Sequence, residues 1–208
     1  MSRILKYIMQ FIKRWKDKLL KRKQVHFIRP VNDEFNWLQS KKRGFPSEYH
    51  INPSFISHII IHHSLSDDGK EKNWGAIRRY HMNTNGWVDI GYHFGIEMIG
   101  DDFEVMYGRP LNKRGAHAKD GGFNNKSIGI CVVGNWDDRP PPERQFSLAI
   151  ELTKNLIQFY GSKNIPIRVD RVLGHGESQI KAGVKTPKSC PGKMFNMDLF
   201  RERLHNIG

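Results

Sequence analysis

Cysteine is scarce in this chain of 208 residues: there are two, Cys131 and Cys190. At most one disulfide can form, so a disulfide-held scaffold is excluded. Long apolar runs are missing too, and no uninterrupted stretch is long enough to span a bilayer. Acidic residues are in deficit, 21 against 34 lysines and arginines, which leaves a formal charge of +13. That excess favours polyanionic partners: nucleic acid, anionic lipid or an anionic wall polymer. With 38% hydrophobic and 26% charged residues, the composition fits a folded domain rather than disorder. The length suffices for one domain with a sizeable core and some extra sequence.

The charge is uneven. Residues 1–24 hold nine lysines and arginines against one acid, Asp17. In the same stretch Ile4, Ile8, Phe11, Ile12, Trp15 and Leu19 recur at helical spacing, so a basic amphipathic helix is expected. Lys6, Lys13 and Arg14 interrupt its apolar residues and no small-residue cleavage site follows, so a cleaved signal peptide is not expected. Two readings stay open for this helix. It lies on an anionic membrane surface or wall polymer, or it is a solvated or partly disordered leader. The remaining charge is ordinary for a domain and no nucleic-acid motif accompanies it, so nucleic acid is not the expected partner. Residues 25–54 carry the turn signals Gly44-Phe45-Pro46 and Asn52-Pro53 and read as a linker or lead-in arm.

From about residue 55 to 205 the pattern is that of a domain. SHIIIHHS reads as a short apolar strand ending in two histidines. WGAIRRYHMNTN reads as a helix closed by Asn85-Gly86, and GYHFGIEM and FEVMYG as two strands split by a Gly-Asp-Asp turn. SIGICVVGN is a further buried strand, followed by the loop DDRPPP and a long helix from about Glu143 to Tyr160. PIRVDRVLG reads as a last strand, then comes a Gly-, Lys- and Pro-rich loop, then a helix near Met197 to His205. Strands alternating with helices predict an α/β domain with a central mixed sheet flanked by helices.

The chemistry sits in a few of these segments. Cys131, within IGICVVG, reads as a small core residue. Cys190 lies among polar and turn residues in KSCPG, an odd place for packing and a reasonable one for a ligand. A hydrolytic zinc site uses three protein ligands and leaves a fourth position for water. His62 at the end of one strand, His175 after another in LGHGES, and Cys190 shortly beyond make a plausible trio. His63 is the rival within its pair: if the strand alternates, the two histidines face opposite sides and only one reaches the metal.

Six segments in order sharpen this: IIIHHS, GWVDIGYHF, GAHAK, NNKSIGICVVGN, VLGHGES and PKSCPG. Through them, residues 57–203 resemble the zinc amidase family that includes phage amidase-type lysozymes and animal peptidoglycan recognition proteins. The resemblance implies a zinc cleft on one face of the mixed sheet. It also implies hydrolysis of the amide between N-acetylmuramic acid and the L-alanine of the stem peptide. Residue by residue, it assigns His62, His175 and Cys190 as zinc ligands, and Tyr92 of GYHF and Lys188 of PKSC as catalytic groups. His117 of GAHAK matches a cleft histidine that would contact substrate. His93 is expected to pack inward.

Two further readings follow from the same resemblance. Some recognition proteins bind the wall without cutting it, usually having lost the zinc cysteine, which this chain retains. A branch that recycles anhydro-muropeptides usually carries aspartate where Cys190 stands. A phage-type lytic enzyme, made in the cytoplasm and acting as a monomer on peptidoglycan, is the setting that fits best; a bacterial enzyme exported by a non-standard route is the alternative.

Overall fold

The computed structural model describes residues 47–66 and 73–206. The expected helix over 1–24, and the part of the arm before residue 47, lie outside the described residues. Among the described residues no helix is long and apolar enough to cross a membrane.

Among the described residues, five strands form one sheet: β1 (His58–His63), β2 (Phe94–Ile99), β3 (Asp102–Tyr107), β4 (Ser127–Val132) and β5 (Val172–Gly174), in the order β3-β2-β4-β1-β5. β1 runs parallel to both β4 and β5, β2 runs parallel to β4, and β2 and β3 form an antiparallel hairpin. The sheet is therefore mixed, as expected. All six residues of β1 and all six of β4 are buried, which is why both read as near-continuous apolar runs: central parallel strands are covered on both faces.

The alternation of β1 sorts its residues between two environments. Ile59 and Ile61 join Ile128, Ile130 and Val132 in the main core. That face is covered by two helices, here α2 (Glu143–Gly161) and α4 (Met197–Asn206). From α2 come Phe146, Ala149, Ile150, Leu156 and Tyr160, at the spacing of a helix that buries one stripe. Buried Gln145 pins the start of α2 to the sheet, its Nε2 donating to the carbonyls of Ile96 (3.0 Å) and Val133 (2.9 Å).

Ile60 points the other way, into a smaller cluster with Ala118, Phe123 and Leu173. His62, two residues on, shares that side. The same face carries α1 (Trp74–Arg79), capped by Asn73, whose side chain accepts from the Ala76 N–H at 2.8 Å. Trp74 and Ile77 pack with Ile90, Met106, Cys131 and Val133, so Cys131 is a core residue here.

Three elements differ from expectation. The helix expected through Asn85 is α-helical only to Arg79 and widens into a π-turn over Tyr80–Thr84. PIRVDRVLG forms a strand only over its last three residues, after a 3-10 turn at Val169–Arg171. The stretch after it, expected as a loop, begins with a helix, α3 (His175–Lys181). Here Glu177 serves as the cap: its Oε2 accepts from the Gly174 N–H at 2.7 Å. Both its oxygens also meet Arg201 of α4, at 2.9 and 3.0 Å. That fork ties α3 to the terminal helix.

Candidate metal centre

His62 stands near the end of β1 and His175 is the first residue of α3, directly after β5. Because β5 pairs in parallel with β1, the chain delivers both histidines to neighbouring strand ends. Cys190 arrives from the loop beyond α3. Its carbonyl accepts from the Gly176 N–H at 2.7 Å, which docks that loop on the start of the helix. One donor atom from each of His62, His175 and Cys190 lies within 4.8 Å of the others, and all three residues are buried. His62 Nδ1 lies 3.6 Å from Cys190 Sγ, and the two imidazole centroids are 4.6 Å apart.

His63 does not join them. It faces the opposite side of the sheet, where its Nδ1 accepts from the Trp136 N–H at 3.3 Å. Its backbone hydrogen-bonds the Cys190 sulfur instead.

The loop is held at three further points. Gln179 of α3 accepts from the Lys188 N–H (2.8 Å) and donates to Asp120 (2.8 Å). Ser189 donates to Asp137 (3.0 Å) and the Lys193 N–H donates to the same carboxylate (3.0 Å). Sequence reasoning missed Gln179, Asp120 and Asp137, since none lies in a motif that carries chemistry. Gln179 was the most findable, four residues after His175 and so on the same helical face.

Burial sets the protonation state of the cluster. It lowers the His175 pKa to about 4, with the Lys188 charge adding to the effect. The His62 pKa falls well below its ordinary value for the same first reason, reinforced by His117, His175, His63 and Lys188. Both imidazoles are thus neutral, the ligating form. Burial pushes the Cys190 thiol up to about 12, opposed by the His63 backbone and by Lys188. A buried thiol that resists ionising on its own, between two neutral imidazoles, suits a cation that would stabilise its thiolate. Two nitrogens and one sulfur are donors that zinc takes readily.

Tyr92 lies beside this cluster, its ring 5.1 Å from that of His62. Burial raises its pKa well above the ordinary value, with the nearby Cys131 and Cys190 thiols adding, so its hydroxyl stays protonated. Lys188 is exposed, and its charge reaches His62, His175 and Cys190. His117 is 8% exposed, and its Nδ1 lies 3.0 Å from His62 Nε2. The hydrogen bonds of this residue run to protein groups. His93 packs inward as expected, its Nδ1 accepting from Gly129 and its Nε2 donating to the Lys113 carbonyl, both at 3.0 Å.

The family model described as N-acetylmuramoyl-L-alanine amidase matches residues 52–193, which takes in every residue of this cluster. The chain belongs to the N-acetylmuramoyl-L-alanine amidase family. Members of this family are typically zinc-dependent. Among its curated relatives, peptidoglycan-recognition protein LB of Drosophila melanogaster is 34% identical over 141 residues, covering 65% of this chain and 54% of that protein. The chain spans about half the length of the curated relatives it matches. Among solved structures, the amidase LysC from Clostridium intestinale superposes with a TM-score of 0.57 at 26% identity, covering 74% of this chain and 89% of that one. A point mutant of Drosophila PGRP-LB, solved in complex with tracheal cytotoxin, superposes with a TM-score of 0.54 at 29% identity, over 72% and 82% of the two chains. The family thus holds both amidases and recognition proteins.

Proposed function

We propose that this amidase-family chain is a zinc-dependent hydrolase of peptidoglycan that cleaves the amide between N-acetylmuramic acid and L-alanine. The observation that carries the reading is the meeting of His62, His175 and Cys190 donors in one buried cluster, with the Lys188 charge acting on all three. A cation beside a metal centre supports the hydrolase reading over that of a non-catalytic binder.

The three ligands would hold zinc, which supplies Lewis acidity and lowers the pKa of water in its fourth position. The protein's own groups have separate tasks. Lys188 offers a positive charge where negative charge develops on the substrate carbonyl oxygen, and loss of one such donor costs about two to three decades in rate. Tyr92 keeps its proton and so donates a hydrogen bond to the carbonyl or positions the attacking water. The neutral imidazoles present their donors without first losing a proton, whereas the Cys190 thiol would give up its proton to bind as thiolate.

The basic segment over residues 1–24 we assign to an anionic surface, membrane or wall polymer, near the substrate. On this reading the protein is made in the cytoplasm and acts on the wall as a phage-type lytic enzyme does, as a monomer.

The test uses the purified chain on purified cell walls. Release of new L-alanine amino termini and muramic acid lactyl groups should occur, stop with a chelator, and return with zinc. Tight wall binding without zinc-dependent release would defeat the hydrolase reading and leave a recognition protein. Soluble anhydro-muropeptides cut in preference to intact sacculi would instead place the chain in the recycling branch.

A further inference from the structure

His117 offers a narrower assignment than a substrate contact, one that rests on the proposed zinc site. His62 turns Nδ1 towards Cys190 Sγ at 3.6 Å. If that nitrogen takes the metal, the proton of the neutral ring must sit on Nε2. A buried N–H needs an acceptor, and leaving it unmet costs about 1–3 kcal/mol. His117 Nδ1 lies 3.0 Å from His62 Nε2, with the two rings edge-to-face at 88° and centroids 5.0 Å apart. To accept, His117 must carry its own proton on Nε2.

The surroundings of His117 hold its ring to that task. Asn124 Oδ1 accepts from the backbone N–H of both His117 and Ala118, each at 2.8 Å. The ring then lies in a slot between two glycines. A Cβ on Gly129, in β4, would come within 2.6 Å of its Cγ and Cδ2. A Cβ on Gly115 would come within 2.3 Å of Cδ2. The far side of the ring points away from solvent: Nε2 is buried, and the ring hydrogen-bonds the Ser127 backbone, which gives a proton on Nε2 an acceptor. A residue built to grasp substrate would present that atom to the cleft.

We infer that His117 is a positioning residue, the outer partner that fixes His62 in its Nε2–H tautomer with Nδ1 free for the metal. Outer partners of metal-bound imidazoles both orient the ring and raise its basicity, and losing one typically costs about 10- to 100-fold in metal affinity.

The experiment measures zinc affinity of the full chain by competition with a chromophoric chelator, in the wild type, His117→Phe and His117→Asn. Phe fills the slot without an acceptor. Asn places an amide oxygen close to the position of Nδ1. The expected result is zinc affinity lower by about 10- to 100-fold in His117→Phe and largely restored in His117→Asn. Wild-type affinity in His117→Phe overturns the inference while leaving the zinc reading intact, and so does equal loss in both variants. A wild-type chain that takes up no zinc sinks the zinc reading and this inference with it. Should His117→Phe fail to fold, the zinc-loaded wild type still decides. Its long-range ¹⁵N spectrum should show protons on Nε2 of both His62 and His117, and a proton on His117 Nδ1 overturns the assignment.

Discussion

One methyl group, added at Gly176, tests whether the loop bearing Lys188 and Cys190 must sit where it does. Gly176 is the second residue of α3, and its φ is not in the left-handed region. Helix propensity alone therefore favours Gly176→Ala by about 0.8–1 kcal/mol. Packing opposes it. A Cβ there would lie 2.3 Å from the Lys188 carbonyl oxygen and 3.4 Å from that of Cys190. Carbon–oxygen contacts settle at about 3.3 Å or more, so the loop must retreat by about 1 Å. That movement strains the 2.7 Å bond from the Gly176 N–H to Cys190 and the 2.8 Å bond from the Lys188 N–H to Gln179. Overpacking of this kind costs about 1–3 kcal/mol, so the net change in stability is small, from near zero to about 2 kcal/mol unfavourable. The functional effect is larger, because a displacement of about 1 Å at a reacting centre can cost about 100-fold. Zinc competition, wall hydrolysis and thermal melting together read the variant. The expected pattern is weakened zinc binding and a fall in kcat/KM of about 100-fold, with a melting temperature within a few degrees of wild type. A variant that binds zinc and cuts walls like wild type while melting higher would refute the reasoning, because the loop would then tolerate displacement.

Three other outcomes are expected. His62→Ala should lose zinc, measured by metal content after dialysis, whereas His63→Ala should retain it; the opposite pattern would move the ligand to His63. Glu177→Ala should lower the urea unfolding midpoint by the equivalent of about 1–2 kcal/mol, through loss of the helix cap and of the Arg201 fork, and an unchanged midpoint would show that neither holds α3. Burial lowers the His93 pKa from 6.5 to about 4. The unfolded chain therefore takes up a proton there first as pH falls, so this contribution to stability is complete above pH 6.5 and is lost progressively towards pH 4. Between pH 7 and 5 it amounts to about 2 kcal/mol. Urea unfolding with chelator present should show a shallower pH dependence in His93→Asn than in wild type, and equal slopes would refute the assignment.

Much of this arrangement was legible in the chain because buried parallel strands announce themselves. HIIIHH and SIGICV are apolar throughout since both faces of β1 and β4 are covered. Alternation along β1 framed the choice between His62 and His63, and the register against β4 and β5 set their faces. The α3 helix was hidden because His-Gly-Glu-Ser has little helix propensity; its start depends on Glu177 reaching back to Gly174 and forward to Arg201, a tertiary contact that no local pattern carries. β5 was overextended for a related reason: only the residues that pair with Ile59, Ile60 and Ile61 become strand. The setting of His117 was invisible in the same way. GAHAK shows a histidine, but its two-glycine slot is assembled from Gly115 beside it and Gly129 on a separate strand.

The donors of the cluster come from points far apart in the chain: His62 and Cys190 are separated by 128 residues. An ion gripped by both, and by His175, would act as a removable cross-link closing most of the domain into one ring. It would fasten a short margin of the sheet, since β5 is a three-residue edge strand that, among the described residues, pairs only with β1. Without the ion, β5, α3 and the loop after it keep the pairing with β1, the Glu177–Arg201 fork and the hydrogen bonds through Gln179, Asp137 and the Cys190 carbonyl. Local opening starts where few contacts cross, so removing the metal should expose the surface stretch from Lys185 to Ser189 to proteases before the central strands yield. The metal centre would then govern how long the folded protein survives as well as what it does.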